Sequence, residues 1–304
     1  MTRRDVVTLL GLALIWGSSF LFIRVGVGAM PPITVVELRL ALGALAAAVM
    51  ARALHVPGVG AAFRRPIVAA TGMCAAGIPF VLYAYGETRV GSGVAGISNA
   101  TAPLCAAVIA QAIPVARGGE RLTRRRALGL AIGFAGVCVL ASDGIRGDLD
   151  PLGLFLCFVA PVFYGVGGSL ARVAYAGSNP VVAAVAGNGL AALILLGPTL
   201  VAGRPTHNPG AGPLLAVAVL GVAGTGLAFV LFYRLMARVG SATFTVTYLM
   251  PGVALIEGAI FLGEPLRWSA LIALLGILAG VAVASGVLPG SRRDPVAEAT
   301  AAAA

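Results

Sequence analysis

The sequence predicts an all-α membrane protein, in which ten transmembrane helices form two inverted repeats of five helices each. The first observation behind this prediction is composition: 59% of the 304 residues are hydrophobic and 11% are charged, with a mean hydropathy of +1.00. A soluble domain has roughly 25% charged residues, so water is not the main solvent of this chain. The second observation is a series of ten apolar runs, each close to the length of about 20 residues that crosses a bilayer. The third is an internal repeat.

The repeat is clearest in residues 80–92, which recur as residues 229–241 with seven of the thirteen positions identical. Each copy joins two apolar runs through the same Arg-Val-Gly-Ser turn. The aromatic-glycine pair Trp16-Gly17 likewise recurs as Tyr164-Gly165. The first apolar run therefore belongs to the repeat and is not expected to be a cleaved signal peptide. A repeat of this length predicts two homologous halves.

The first half comprises residues 1–147. Its predicted spans are approximately 6–27, 33–54, 66–86, 92–115 and 126–142. Pro31 and Pro32 mark the start of the second span, because proline is tolerated in the first turn of a helix. The Arg-Val-Gly-Ser turn separates the third span from the fourth, and an arginine-rich loop separates the fourth from the fifth.

The second half comprises residues 148–288. Its predicted spans are approximately 152–174, 180–202, 213–235, 241–263 and 268–288. Pro151 and Pro180 open the sixth and seventh spans, and the second copy of the Arg-Val-Gly-Ser turn separates the eighth from the ninth. Residues 289–304, which end in an alanine-rich stretch, are expected to be a disordered cytoplasmic tail.

Arginine placement predicts the orientation in the membrane. The chain has no lysine, and 15 of its 21 arginines fall in the segments that lie inside if the N-terminus is inside. Five lie outside, and Arg39 lies within a span. The positive-inside rule therefore puts both termini in the cytoplasm. It also explains the net charge of +10 without a nucleic-acid partner.

Five spans in each half make the second half enter the membrane in the opposite orientation. Inverted repeats are typical of secondary transporters, which bind substrate near the middle of the bilayer and alternate between two arrangements. The alternative is a helical scaffold with a duplicated ancestry and no transport function.

Several short motifs resemble the drug/metabolite transporter superfamily, and specifically its EamA type with ten spans. They are Trp16-Gly17-Ser18-Ser19-Phe20, Pro31-Pro32 with Leu38-Arg39, Pro103 with Gly119-Glu120-Arg121-Leu122, and Pro251 with Leu262-Gly263-Glu264-Pro265-Leu266. The resemblance covers nearly the whole chain and implies inner-membrane transport, often export, of small metabolites. It also implies a central cavity lined by spans 1, 3, 4, 6, 8 and 9. The sequence departs from the family pattern at Gly165, where alanine is commoner.

Two prolines are candidate gating residues. Pro103 and Pro251 each fall near the middle of a span, and a proline in a helix cannot donate to the carbonyl four residues earlier. Those carbonyls belong to Asn99 and Thr247, two candidate substrate-binding residues. Unsatisfied backbone at this depth is tolerated where it lines a cavity. The alternative is a kink whose carbonyl is satisfied by a neighbouring helix.

Charged residues within spans are the candidates for coupling and gating, because charge in the bilayer is costly. They are Glu37, Arg39 and Glu257, and none has a charged counterpart in the other half. For Arg39 the alternative is snorkelling with a structural ion pair, and for Glu257 it is a structural hydrogen bond. Glu120 and Glu264 each precede a predicted helix and are expected to cap it.

Aromatic side chains are the remaining candidates for a substrate pocket. They are Trp16, Tyr83, Tyr164, Phe229 and Tyr248. The alternative is packing or anchoring at the membrane interface. Trp16 and Tyr164 are favoured, because the repeat relates them.

These features together predict a secondary transporter, and more specifically an exporter, of an amino acid, a related organic solute or a drug. The alternatives are a flippase for a lipid-linked substrate and a membrane sensor without transport. The sequence contains no catalytic motif that predicts an enzyme. The four cysteines lie within apolar runs and predict no metal site, and no cofactor is expected. The expected partners are a small-molecule substrate and the lipid bilayer, with a proton as candidate coupling ion and a homodimer as candidate assembly.

Overall fold

The computed structural model describes residues 2–112, 123–146, 149–239 and 246–285. Within these ranges the chain is helical and contains no β-strand. The helices of the first half are α1 (Arg3–Val27), α2 (Pro32–Ala53), α3 (Val59–Ala62), α4 (Pro66–Gly72), α5 (Ile78–Gly86), α6 (Ser92–Asn99), α7 (Ala102–Ala112) and α8 (Arg124–Ile145). Those of the second half are α9 (Pro151–Ala174), α10 (Pro180–Val182), α11 (Asn188–Ala202), α12 (Ala211–Gly221), α13 (Ala228–Val239), α14 (Val246–Leu262) and α15 (Trp268–Ser285).

Eight helical segments of the described chain are long and apolar enough to cross a membrane. They coincide with the first eight predicted spans. The ninth and tenth predicted spans correspond to shorter apolar helices, Val246–Leu262 and Trp268–Ala284. The prediction of a multi-span helical protein is confirmed, whereas ten full-length spans remain a prediction.

The helix starts follow from local sequence. Thr2 and Asp5 form a capping box at the start of α1, in which the Asp5 N–H donates to Thr2 Oγ1 and the Thr2 N–H donates to Asp5 Oδ2. Asp150 caps α9 by accepting the Gly153 N–H at 2.7 Å. This bond and the nearby guanidinium of Arg89 lower the pKa of Asp150. The prolines predicted to open α2, α9 and α10 lie in their first turns.

Three π-helical segments interrupt the membrane helices, and the sequence analysis did not predict them. They are π1 (Met73–Gly77), π2 (Ala183–Gly187) and π3 (Val222–Leu227). Pro79 follows π1 and cannot donate to the carbonyl four residues earlier, which favours a locally widened turn there. π1 and π3 lie at equivalent positions of the repeat, at a shift of 149 residues.

Glycines allow the helices α8 and α15 to approach each other closely. A Cβ at Gly129 would lie 2.5 Å from the backbone nitrogen of Ala284, and one at Gly136 would lie 2.8 Å from the carbonyl oxygen of Ala273. A Cβ at Gly280 would collide with the backbone of Gly133. These glycines thus let the two membrane helices pack backbone to backbone.

Hydrogen bonds and ion pairs connect helix ends that the arginine count puts on the same side. At the end predicted to be cytoplasmic, Arg238 pairs with Asp5 at 2.7 Å, and Arg65 donates to the Ala174 carbonyl at 2.7 Å. At the opposite end, Arg89 pairs with Asp150 at 3.2 Å. The structure thereby shows which helix ends lie together.

Candidate functional site

Trp16 of α1 contacts the widened turn of span 8. Its indole Nε1–H donates to the Gly224 carbonyl oxygen of π3 at 2.9 Å. Its ring lies 5.7 Å from that of Phe229 and 5.1 Å from that of Phe232. The adjacent Gly17 leaves no space for a Cβ, which would lie 2.5 Å from Val253 Cβ of α14. Gly17 thus allows α1 to pack closely on α14, while the Trp16 side chain contacts π3.

Tyr164 of α9, the repeat partner of Trp16, lies in a different aromatic group. Its ring stacks on that of Tyr83 with centroids 6.4 Å apart, and the Tyr83 hydroxyl donates to Asn99 Oδ1 at 3.2 Å. Phe20 of α1 packs edge-on against Tyr83, with centroids 5.5 Å apart. Spans 1, 3, 4 and 6 therefore meet at this cluster.

The packing around Gly165 explains why glycine replaces the alanine that is commoner at this position of the family. A Cβ at this position would lie 2.6 Å from Ile109 Cδ1 and 3.1 Å from the backbone of Ala106. An alanine here would push α9 away from α7. Glycine at position 165 therefore permits a close packing of spans 4 and 6 that alanine would prevent.

The two candidate prolines differ in their surroundings. At Pro103 the helix is interrupted as expected: α6 ends at Asn99 and α7 begins at Ala102. At Pro251 the helix is not interrupted, because α14 runs continuously from Val246 to Leu262 with Pro251 inside it. The gating role of both prolines stays a prediction.

Arg39 lies in the interior of the bundle. The residue is 5% exposed, its Nε–H donates to Thr225 Oγ1 of π3 at 2.9 Å, and its guanidinium carbon lies 3.5 Å from the ring centroid of Phe80. Among the described residues no carboxylate forms an ion pair with it. The structural ion pair considered from the sequence is therefore not found in the described part of the chain.

The two candidate carboxylates have different partners. Glu257 Oε1 accepts a hydrogen bond from Ser18 Oγ at 2.7 Å, which connects α14 to α1. Its Oε2 is buried and has no hydrogen-bond partner among the described residues, and the same is true of Glu37 Oε2. Glu257 thus has the structural hydrogen bond expected of one alternative and a free oxygen compatible with the other.

Glu264 caps a helix, but not the one expected from the sequence. Its Oε1 and Oε2 accept the N–H groups of Ser92 at 2.7 Å and Gly93 at 3.0 Å, at the start of α6. The carboxylate therefore connects the second half to the first instead of capping α15. Sequence proximity suggested the nearer helix, and only the packing of the two halves reveals the partner. Glu120, for which the same role was expected, lies outside the described residues.

The structure brings some candidates together and separates others. Tyr83, Asn99 and Tyr164 form one contiguous cluster, and Trp16 and Phe229 form another. Thr247 and Tyr248 are half-buried on α14, where Tyr248 packs against the main hydrophobic core. The sequence analysis missed Glu87, which is fully buried, because its place in a turn suggested a solvated side chain.

Comparison with known proteins identifies the family. The model of the EamA-like transporter family matches residues 4–142 and again residues 151–286. This chain belongs to the EamA-like transporter family. A relative from Escherichia coli K12, the uncharacterized inner membrane transporter YedA, is 28% identical over 284 residues, covering 86% of this chain and 85% of YedA. A probable terminal-alkyne amino-acid exporter of Streptantibioticus cattleyicolor is 29% identical over 293 residues, covering 92% of each chain.

A solved structure shares the fold of this chain. It is titled only as a crystal structure of a protein, and it aligns with a TM-score of 0.67 and 20% identity over 94% of this chain and 99% of its own. The family and its relatives make this protein a multi-pass inner-membrane transporter. Their names point to transport and not to an enzyme.

Proposed function

We propose that this EamA-like protein is a secondary transporter that exports a small organic solute with an anionic group, such as an amino acid, by alternating access. The observation that carries the proposal is Arg39, a buried guanidinium without a carboxylate partner among the described residues. A charge in the membrane interior is costly unless it is paired. A substrate carboxylate would supply the missing partner.

The contacts of Arg39 leave its outer edge available for such a group. Thr225 Oγ1 accepts a hydrogen bond from the Nε–H of Arg39, and the Phe80 ring covers one face of the guanidinium. No hydrogen bond engages the Nη groups within the described part of the chain. A carboxylate is recognised by paired, parallel N–H donors of this kind. The aromatic clusters on either side, around Trp16 and around Tyr83, would contact the rest of the solute.

Alternating access is supported by features that recur in both halves. The family model matches each half separately, and the widened turns π1 and π3 lie at equivalent positions. Gly17 packs against α14, and its repeat partner Gly165 packs against α7. Two such halves in opposite orientation would exchange inward-open and outward-open arrangements.

The substrate class is supported by one relative. The protein of S. cattleyicolor is named a probable amino-acid exporter, and amino acids carry the carboxylate that Arg39 would bind. We extend to this chain only the chemical class, with Glu257 as candidate site for a coupling proton. The cytoplasmic termini and the homodimer remain predictions.

Transport in reconstituted vesicles tests the proposal. Vesicles are loaded with one solute at a time: an amino acid, an organic acid, the uncharged amide of such an acid, or an amine. Exchange with labelled solute is then measured. Arg39→Gln is expected to raise the KM for carboxylates about tenfold to a hundredfold, which corresponds to about 1.5–3 kcal/mol for hydrogen bonds to a charged group. Arg39→Lys is the matched control, since it keeps the charge and loses the paired donors.

Three outcomes decide between the candidate functions. Exchange of carboxylates that weakens in the order wild type, Arg39→Lys, Arg39→Gln supports the proposal. Exchange of solutes without a carboxylate at unchanged rates in both variants would contradict the substrate class. Movement of labelled lipid between leaflets, without solute exchange, would indicate that the protein is a flippase and not a solute transporter.

A further inference from the structure

Glu87 is a fully buried carboxylate in the turn between α5 and α6. Its exposed fraction is 0%, and neither Oε1 nor Oε2 has a hydrogen-bond partner among the described residues. Ser92, at the start of α6, is also fully buried, and its Oγ has no partner either. An ionised carboxylate without partners is strongly disfavoured in such surroundings, whereas a neutral carboxyl group is tolerated.

The two arginines near Glu87 lower its pKa, but their effect is smaller than the opposing effects of burial and of Glu264. Arg24 of α1 and Arg39 of α2 lie within electrostatic range, yet neither forms an ion pair with Glu87 in the described structure. Arg24 donates to the backbone carbonyl of Glu87, and Arg39 donates to Thr225. From α9 the facing group is the thiol of Cys157.

The remaining neighbours favour a proton on Glu87. Glu264, between α14 and α15, already accepts the two N–H groups at the start of α6. The burial of Glu87 and the nearby carboxylate of Glu264 raise the pKa of Glu87 well above its ordinary value. The ion pair of Arg89 with Asp150 lies on the exposed side of the same turn. Of the two neighbouring carboxylates, Glu87 is therefore the one that takes the proton.

The backbone on both sides of Glu87 is closely packed against the neighbouring helices. A Cβ on Gly86 would lie 2.5 Å from Cys157 Sγ, and one on Gly91 would lie 2.7 Å from Glu264 Oε2. A Cβ on Gly258 would lie 2.6 Å from the same Glu264 oxygen and 2.8 Å from Ser92 Oγ. A proton requires no cavity.

We propose that Glu87 is a proton-binding site whose protonation keeps this end of the bundle closed. Closure holds the start of α6 against Glu264 of the second half and buries Val90 and Ser92. Opening would bring water to Glu87 and release its proton. The inference concerns a conformational equilibrium and requires no transported solute. If the proposed transport function holds, proton release accompanies opening at this end.

The direction of the pH dependence follows from the raised pKa. In the open state Glu87 would titrate near the ordinary value of about 4.3, and in the closed state only at a higher pH. Closure is therefore fully favoured below the ordinary value and becomes weaker as pH rises toward the raised one. Above the raised value no further change is expected.

Cysteine accessibility measures this equilibrium. The four native cysteines are replaced by alanine, and a reporter cysteine is placed at Val90, which is 3% exposed. Thr88, exposed in the same turn, provides the control, because dividing the two maleimide rates removes the titration of the thiol itself. The normalised rate at Val90 is expected to rise with pH by up to about tenfold per unit. In Glu87→Gln it is expected to stay low at every pH.

A second measurement observes the proton directly. The infrared spectrum of the wild type at neutral pH is expected to contain a band of a buried protonated carboxyl group that is absent from Glu87→Gln. No difference in that region would show that Glu87 is ionised and would overturn the proposal. A normalised labelling profile that is the same in the wild type and in Glu87→Gln would also overturn it, whether or not the protein exchanges solutes in vesicles.

Discussion

Glu257 combines a feature expected of a structural residue with a feature expected of a coupling residue. One carboxylate oxygen is bonded to Ser18 of α1 and the other has no partner among the described residues. This arrangement supports Glu257 as the candidate coupling residue, because a fully satisfied carboxylate would favour a purely structural role.

Replacing Glu257 by glutamine separates the two roles. The amide keeps an oxygen that can accept the Ser18 hydroxyl, so folding should be preserved. If Glu257 carries a coupling proton, gradient-driven accumulation should be lost while solute exchange in vesicles continues. Ser18→Ala is the matched control, since it removes the hydrogen bond to Glu257 and leaves the carboxylate in place. Wild-type, pH-dependent accumulation in Glu257→Gln would reduce Glu257 to a structural role.

At the scale of single residues, the sequence indicated which charged residues lie within the helices better than it indicated their hydrogen-bond partners. Arg39 and Glu257 stand out because charge within an apolar run is costly; Arg39 is buried and Glu257 is half-buried. Their partners Thr225 and Ser18 lie far away along the chain, so no local pattern reveals them. Glu87 was missed for the opposite reason, because a glutamate in a turn is ordinarily solvated.

At the scale of helices, the two halves are less alike than the repeat suggests. The break between α6 and α7 at Pro103 was predicted, whereas Pro251 lies within a continuous α14. The proline itself is visible in the sequence, but the helix register around it is not. The π-helical segments were also missed, because widened turns depend on how glycines and neighbouring helices pack and lack a strong sequence signal.

Alanine at the two prolines tests whether the break is functional. Pro103→Ala restores an N–H donor and favours joining α6 to α7. Transport should slow while expression and insertion remain normal, with altered cysteine accessibility at the α5–α6 turn. Pro251→Ala should have a smaller effect, since α14 is already continuous. Equal transport in both variants and the wild type would make the break a feature of the scaffold.

The α8–α15 crossing gives a prediction about stability. A Cβ at Gly280 would collide with the backbone of Gly133, which no rotamer change can relieve. Gly280→Ala should therefore lower the free energy of unfolding by about 1–3 kcal/mol, the usual cost of overpacking. Gly252→Ala is the control, because nothing lies within 4 Å of its added Cβ, and alanine favours a helix by about 0.5–1 kcal/mol. Thermal unfolding in detergent measures both, and equal melting temperatures would contradict the close crossing.

At the scale of the whole molecule, the composition and the repeat predicted most of the architecture. The apolar runs predicted the positions of eight membrane-length helices, and the duplication is matched by two copies of the family model. The contacts between the halves were not predictable in the same way. Glu264 connects the second half to α6 of the first, because the fold places its carboxylate nearer to that helix start than to the one that follows it in sequence.

The orientation in the membrane is the last feature to be tested, and the predicted inverted repeat depends on it. The ion pair of Arg238 with Asp5 connects ends that must share one side, and the pair of Arg89 with Asp150 connects ends that must share the other. The excess of arginine near the first group predicts that this side is cytoplasmic. Single cysteines at Thr88 and His207 should then react with an impermeant reagent added outside intact cells.

Cysteines at Ala61 and Ala176 should react only after the cells are opened. All four positions are exposed in the structure, so a difference in labelling reports the side of the membrane and not burial. Two of the positions belong to each half, and the predicted inversion requires that each half contribute one outer and one inner position. Labelling of the whole set from one side, or of one half entirely from outside, would contradict the inverted topology and with it the proposed alternation between the two halves.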